Sequence, residues 1–504
     1  MTDDSNQTNP STLAFDKFIE KLIEQTKRTT AESENYRIIE RTEDYFDNLE
    51  AAFEHLSAMS EKKKIASSGV EWFLDNYYVI QEAIELIRDD LPEDYFSKLP
   101  SIKNEGSKPR IYYLARQIIS YYRVEIVQND LYEFLNAYQE SVSLRMSELW
   151  ALPLMLRLVL IEVLSGTVFD LIKDKKALTN TDNVAFQDIS ADEIIARALR
   201  TLLFFNRVDW KKFFETHSKV DQVLRQDPAE IYPEMDFDTR DQYRKKVEEL
   251  AENAARSETE VAQKAVDLAG EVGPGSGKSG HVGYYLIHDG EETLKSEINF
   301  KYDFQGRFKK FFFDHNTTFY IGSIMLITLV VVLGLIIISR ALGARAWESV
   351  LLGVLGLVPA SSVAVNLVNS VLTASLPPCI LPKMDFSKKI PREHRTIVAI
   401  PALLSDQEEI DFLLQQIELH YLANKDRNIG FALLLDLSDA PQETMPEDEV
   451  LINSVTSGIH ALNDRYRGDF GKDPFYLYHR CRQWNPKENI WMGWERKRGK
   501  LADF

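Results

Sequence analysis

Cysteine is almost missing. The 504 residues contain two, Cys379 and Cys481, far apart and without metal-ligand spacing, which excludes a disulfide framework and a cysteine-built zinc site and is consistent with a reducing compartment. Positive charge is in deficit: 59 Lys and Arg stand against 78 Asp and Glu, a formal net charge of -19, and so acidic a balance argues against nucleic acid as a partner. The opening stretch MTDDSNQTNPST is acidic and polar where a secretory signal has a basic cluster and an apolar core. Residues 1–14 are therefore expected to be a disordered lead-in. From Phe15 to about Leu250 glycines are few and alternating apolar runs fewer, which leaves helix as the dominant pattern.

Charge is missing in one more place, and that gap organises the chain. From Phe319 to Ser339 the sequence FYIGSIMLITLVVVLGLIIIS has no charged residue over the roughly 20 residues that a helix needs to cross a bilayer core. A short turn with Arg340 and Arg345 follows, then a second apolar stretch from Trp347 that includes Pro359, Asn366 and Asn369, polar groups that need partners inside a membrane. The pattern predicts a transmembrane helical hairpin over 319–376. So short a turn puts both flanks on one side. Lys301, Arg307, Lys309 and Lys310 before the hairpin, and Lys383, Lys388, Lys389, Arg392 and Arg395 after it, place that side in the cytoplasm by the positive-inside rule.

Residues 15–255 read as a helical cytoplasmic domain. Phe73, Tyr77, Ile80, Ile84, Ile87 and Leu91 recur at helical spacing and predict one long helix ending near Pro92. ELWALPLMLRLVLIEVL, Glu148 to Leu164, is apolar enough to suggest a membrane span, but Pro153, Arg157 and Glu162 favour a buried helix of a soluble bundle. Residues 256–318 are expected to form a linker and a small hairpin. The stretch GPGSGKSG, Gly273 to Gly280, resembles a phosphate-binding loop but is one residue short of the required spacing, so a flexible linker is expected. HVGYYLI and EINFKY are predicted as the two strands of the hairpin, with His288 and Asp289 structural residues at its turn.

After Arg395 the pattern becomes α/β. TIVAIPALL is a short apolar strand, SDQE at Ser405 to Glu408 a capping box, and the helix that follows has Ile410, Leu413, Leu414 and Ile417 on its inner side. GFALLLDLSDA is a second buried strand ending at Asp436 and Asp439, and PFYLYHRC, Pro474 to Cys481, is a third strand after another helix. Parallel sheets gather ligands at the carboxyl ends of their strands, where Asp436 and Asp439 fall. The final motif stops in mid-pattern, so residues 377–504 are expected to be the N-terminal half of a truncated domain.

WMGWERKRGKLADF, together with SSGVEWFLDNYYVIQEAIELIRDDLPEDYFSKLP, ELWALPLMLRLVLIEVL, DWKKFFETHSKVDQVLRQDPAEIYPEMDFDTRDQYRKKVEE and HVGYYLI, resembles the N-terminal part of bacterial cyclic β-1,2-glucan synthases, from about Ser67 onward. The resemblance implies a multi-pass inner-membrane hexosyltransferase with an incomplete GT-A type domain, using UDP-glucose to extend a β-1,2-glucan on the protein itself and then cyclising it. It implies inner-membrane lipid and the growing glucan as further partners. By the same resemblance Asp436, and after it Asp439, lie near the uridine, while Lys500 with Arg496 and Arg498 faces the diphosphate, a group that requires concentrated positive charge. Mg or Mn is expected for the full-length parent and none for this chain, because the D-x-D motif, the acceptor motif and the catalytic base have no counterpart here. The fragment alone is expected to be inactive. A non-catalytic, membrane-tethered helical scaffold is the competing expectation, since some 300 residues before the membrane have no recognisable site.

Overall fold

The computed structural model describes residues 10–30, 36–61, 67–90, 95, 99–102, 108–172, 186, 188–273, 275, 277–302, 307, 311–312, 314–376 and 381–504. Residues 1–9 of the expected lead-in and Cys379 lie outside them. By its internal contacts the chain divides into two units, residues 1–382 and 383–504.

The first unit runs through helices α1 (Pro10–Thr26), α2 (Tyr36–Glu61), α3 (Ser68–Asp75), α4 (Tyr77–Asp90), α5 (Arg110–Tyr121), α6 (Gln128–Gln139), α7 (Met146–Ile172), α8 (Ala191–Phe205), α9 (Trp210–His217), α10 (Lys219–Leu224), α11 (Phe237–Ala254), α12 (Glu258–Val272), α13 (Val282–Ile287) and α14 (Glu291–Glu297). Two short strands, β1 (Thr29–Thr30) and β2 (Ser101–Ile102), pair antiparallel. The single helix expected over 73–91 is two helices. The break falls at Asn76, whose backbone N–H and side-chain amide both donate to the Trp72 carbonyl and so end α3; Phe73, Tyr77, Ile80, Ile84 and Ile87 are nonetheless buried as the spacing predicted.

Helix α7 is the axis of the bundle and packs on α2, α4, α5, α8, α9 and α11. Its apolar run is 72% buried inside the protein, and its charges are answered there rather than exposed to lipid. Arg110 pairs with Glu148, both buried. Glu162 accepts from Tyr112 Oη at 2.7 Å and Arg116 Nη1 at 2.9 Å. Arg157 donates to the Phe205 carbonyl at 3.2 Å. Carboxylates paired in this way are tolerated in a core and costly in hydrocarbon.

The expected hairpin over 281–302 is not formed. HVGYYLI is helical as α13, and EINFKY is the end of α14 and the turn beyond it. The cause is tertiary: Asp227, distant in sequence, caps the α13 N-terminus by accepting from Val282 N at 3.0 Å, and its other oxygen sits 2.7 Å from His281 Nδ1. Backbone groups that a strand would pair sideways are satisfied in place. His288 and Asp289 do occupy a turn, between α13 and α14. The glycine-rich stretch lies between α12 and α13, so helices flank it on both sides rather than the strand and helix of a phosphate loop.

Helices α15 (Asn316–Ala341) and α16 (Ala346–Ser375) form an antiparallel pair. Their apolar windows are 6% and 22% buried, so they, unlike α7, turn long apolar surfaces outward. Where they touch, α16 presents Ser349, Gly353, Gly356, Ala360 and Ala364, all buried. A Cβ on Gly353 would stand 2.9 Å from Ile336 Cδ1; small residues permit this approach. Ser339 Oγ donates to Ser349 Oγ at 2.6 Å, and Tyr320 Oη to Asn369 Oδ1 at 3.1 Å, the partner that Asn369 was expected to need.

The second unit holds β3 (Thr396–Leu404), α17 (Gln407–Ala423), β4 (Ile429–Leu437), α18 (Asp448–Phe470), β5 (Phe475–Arg480), the hairpin β6 (Gln483–Asn485) and β7 (Ile490–Met492), and α19 (Arg496–Asp503). Strands β3, β4 and β5 form a parallel sheet with β4 in the middle. Phe431, Leu433, Leu435 and Leu437 face the core that Ile410, Leu413 and Ile417 of α17 and Val455 and Ile459 of α18 complete. The helix cap falls one residue later than the motif suggested. Asp406, not Ser405, accepts from Glu409 N at 2.9 Å, a carboxylate being the stronger acceptor at a helix N-terminus.

One consequence concerns stability and pH. Glu258, at the start of α12, accepts from Met146 N at 2.9 Å, and burial, with Glu248 and Glu148 adding repulsion, pushes its carboxyl up to about 8. The folded protein thus keeps a proton that the unfolded chain has released. That contribution is whole below about pH 4.5 and is lost as pH rises through about 8. Melting temperatures measured across this range should fall more steeply for the parent than for Glu258→Gln; equal slopes would refute the assignment.

Candidate functional site

The side-chain period of two along a strand sends Leu433, Leu435 and Leu437 to the helical core and Asp436 to the opposite face, at the carboxyl end of the middle strand. In the parallel register Asp436 lies opposite Leu403 on one side and Arg480 on the other. Arg480 grips it from two points, Nε to Oδ1 at 2.9 Å and Nη2 to Oδ2 at 3.0 Å. Lys500 Nζ approaches Oδ2 at 3.2 Å and also donates to the Ala402 carbonyl at 2.6 Å, which ties α19 to the end of β3. Both Asp436 and Lys500 are buried. Hydrogen bonding to Asp436 raises the Arg480 guanidinium above its already high value.

Above the carboxylate sits Gly493. A Cβ there would stand 2.5 Å from Asp436 Cγ, so only glycine fits. The next residues bend sharply: Glu495 and Arg496 both adopt left-handed backbone, φ +52 and +48, an uncommon choice for non-glycine residues. The bend turns the Trp494 and Arg496 carbonyls toward Arg480 Nη2, at 3.1 and 3.2 Å. Beyond β5, Arg482 forms a buried pair with Asp448 at the start of α18, Nη2 to Oδ1 at 2.9 Å, and donates to the Ser438 carbonyl at 2.6 Å. The hydrogen bonds from Arg482 hold the Asp448 carboxyl below the usual carboxylate range.

The structure brings together four of the five residues singled out from sequence. Asp436 and Lys500 touch, and Asp439 pairs with Arg496 at 2.9 Å on the surface nearby. Arg498 is different: its side chain is 84% exposed and its carboxylate neighbour is Glu495 at 3.6 Å. Sequence reasoning missed Arg480 and Arg482. Part of their signal was present, since the third strand runs into HRCR and parallel pairing with the second strand puts its last residue, Arg480, beside Asp436.

This cluster is a poor metal site. No group of three or more His, Cys, Asp or Glu side chains converges among the described residues, and a divalent cation at Asp436 would meet two fixed positive charges. The cavity beside Asp436, bounded by Leu404, Ile452 and His479, is about 10 Å³, room for a single water at most. The chemistry on offer is cationic: guanidinium and ammonium groups at a strand end, with carboxylates holding them in place.

No family model matches the chain. It is 28% identical over 509 residues to the cyclic beta-(1,2)-glucan synthase NdvB of Rhizobium meliloti (strain 1021), a match that takes in 86% of this chain and 18% of that protein. The resemblance seen in the motifs is thus borne out as kinship: the chain is related to a glucan synthase. The chain spans less than a fifth of the relative's length.

Gly493→Ala tests the packing over Asp436. Forcing a methyl into this contact should cost about 1–3 kcal/mol in the denaturant unfolding of the second unit and leave the helical bundle unchanged; a neutral result would contradict the geometry.

Proposed function

We propose that the chain is part of a membrane-embedded hexosyltransferase that takes glucose from UDP-glucose and adds it to a growing β-1,2-glucan. The observation that carries this reading is the convergence of Asp436, Asp439, Arg480, Arg496 and Lys500 at the carboxyl end of the parallel sheet, on a chain related to a glucan synthase.

In this reading the residues divide by burial. Asp436, with both oxygens engaged, is a positioning residue that fixes Arg480 and Lys500. The surface pair of Arg496 and Asp439 is worth under about 1 kcal/mol and exchanges its partner readily. Arg496 and the solvent-facing Arg498 therefore turn to the diphosphate, and Asp439 is released to accept hydrogen bonds from uridine or ribose. The acceptor hydroxyl attacks the anomeric carbon as UDP departs, and the arginines offset the charge that develops on the leaving group.

The reading also includes a bacterial inner-membrane location with α15 and α16 crossing as a hairpin and both flanks cytoplasmic, supported by the outward apolar surfaces and the basic residues on either side. Reporter fusions at residues 300 and 390 should both give cytoplasmic signals; opposite signals would reject the hairpin.

Binding is the direct test. Calorimetry on the full chain in nanodiscs should detect UDP-glucose, and Arg496→Ala and Asp439→Asn should each weaken it about tenfold, or 1.4 kcal/mol, without lowering the unfolding midpoint. Binding that neither substitution alters, or none at all, would remove the reading.

A further inference from the structure

A cleft of about 500 Å³ opens in the helical bundle between α4, α7, α9 and α11, within the roughly 300–1,000 Å³ typical of small-molecule sites. Its walls are unusual for a bundle surface. Trp150 and Phe214 stack with ring centroids 4.4 Å apart, Trp210 stands edge-on to Phe213 at 5.2 Å, and these aromatic groups line the cleft with Leu149 and Leu154. Among them lie ionic groups of both signs: Asp90, Asp241 and Glu248 against Arg157 and Lys245. Lys245 is already paired with Asp241 at 2.9 Å, and burial raises the Glu248 carboxyl above its ordinary value.

The lining discriminates between ligand classes. Lys245 and Asp241 neutralise each other, and Asp90, Glu248 and Arg157 leave no concentrated charge of one sign for an ionic ligand to answer. A purely apolar ligand would strip water from these groups without replacing it. A neutral ligand with apolar faces and many hydroxyls avoids that cost, since its C–H faces lie on aromatic rings and its hydroxyls both donate and accept. One buried atom of the wall lacks what a hydroxyl supplies: Trp150 Nε1 has no hydrogen-bond acceptor, whereas Asp241 Oδ1 faces Arg244 Nη2 at 3.5 Å.

We propose that this cleft binds a neutral oligosaccharide of two or three sugar units. That its natural occupant is the β-1,2-glucan rests on the transferase reading; the class of ligand rests on the lining alone. The cleft then gives the bundle a task of its own, holding glucan.

Saturation-transfer NMR on the full chain in nanodiscs, free of sugar detergents, tests this with sophorose and short linear β-1,2-glucans as probes and no nucleotide present. Transfer to the sugar protons is expected, with at least a tenfold loss of affinity in Trp150→Ala. Leu154→Trp, which fills the cleft without deleting any packing, should abolish transfer while the melting temperature and UDP-glucose binding stay at parental values. No transfer in the parent, or transfer that survives Leu154→Trp, overturns the proposal. Absence of UDP-glucose binding with sugar transfer intact would instead count against the transferase reading and leave the cleft standing.

Discussion

A carboxylate buried at the end of a central strand is expensive unless its charge is answered on the spot. Asp436 is answered twice, by the two-point grip of Arg480 and by Lys500. Each of these cations comes from a different element, and each is tied to a further one: Arg480 reaches the Trp494 and Arg496 carbonyls, and Lys500 the Ala402 carbonyl. The ion cluster thus draws β3, β5, the left-handed bend and α19 to one point. Gly493 closes over it, and the bridge between Ala440 and Trp491 sets the β6–β7 hairpin alongside. A three-stranded sheet covered by two helices has little core of its own, and the charge cluster supplies the order that its open end would otherwise lack.

The first unit meets the same problem in two ways. Helix α7 has charges in an apolar run and surrounds them with Arg110, Arg116 and Tyr112. Helices α15 and α16 confine charge to the ends beside their turn, Arg340 and Glu348, and join through small residues and hydroxyls. By length and hydropathy all three qualify as membrane spans; what separates them is whether protein or solvent lies against their sides.

Much of the second unit was legible in the sequence because strand, helix and strand alternate within short reach and the apolar runs end on acidic residues. Asp436 could be placed at a strand end for that reason. Lys500 and Arg496 were reached by resemblance rather than by pattern. Arg480 was missed because its role depends on pairing between strands some 44 residues apart, and no periodicity within either strand records it. HVGYYLI was misread because its apolar run fits a strand as well as a helix; the cap from Asp227 decides the matter, and that contact is invisible to local reasoning. The cleft in the bundle drew no notice at all. Its aromatic residues come from separate helices, and each taken alone reads as ordinary core.

The account stands on the coupling of Asp436 to Arg480. A double-mutant cycle with Asp436→Asn, Arg480→Met and the pair, read by denaturant unfolding of the second unit, measures that coupling directly. The account predicts an interaction of about 1–3 kcal/mol, so that the double variant is less damaged than the sum of the two singles. Strict additivity would mean that the two side chains do not depend on each other, and the order ascribed to the open end of the sheet would have to come from elsewhere.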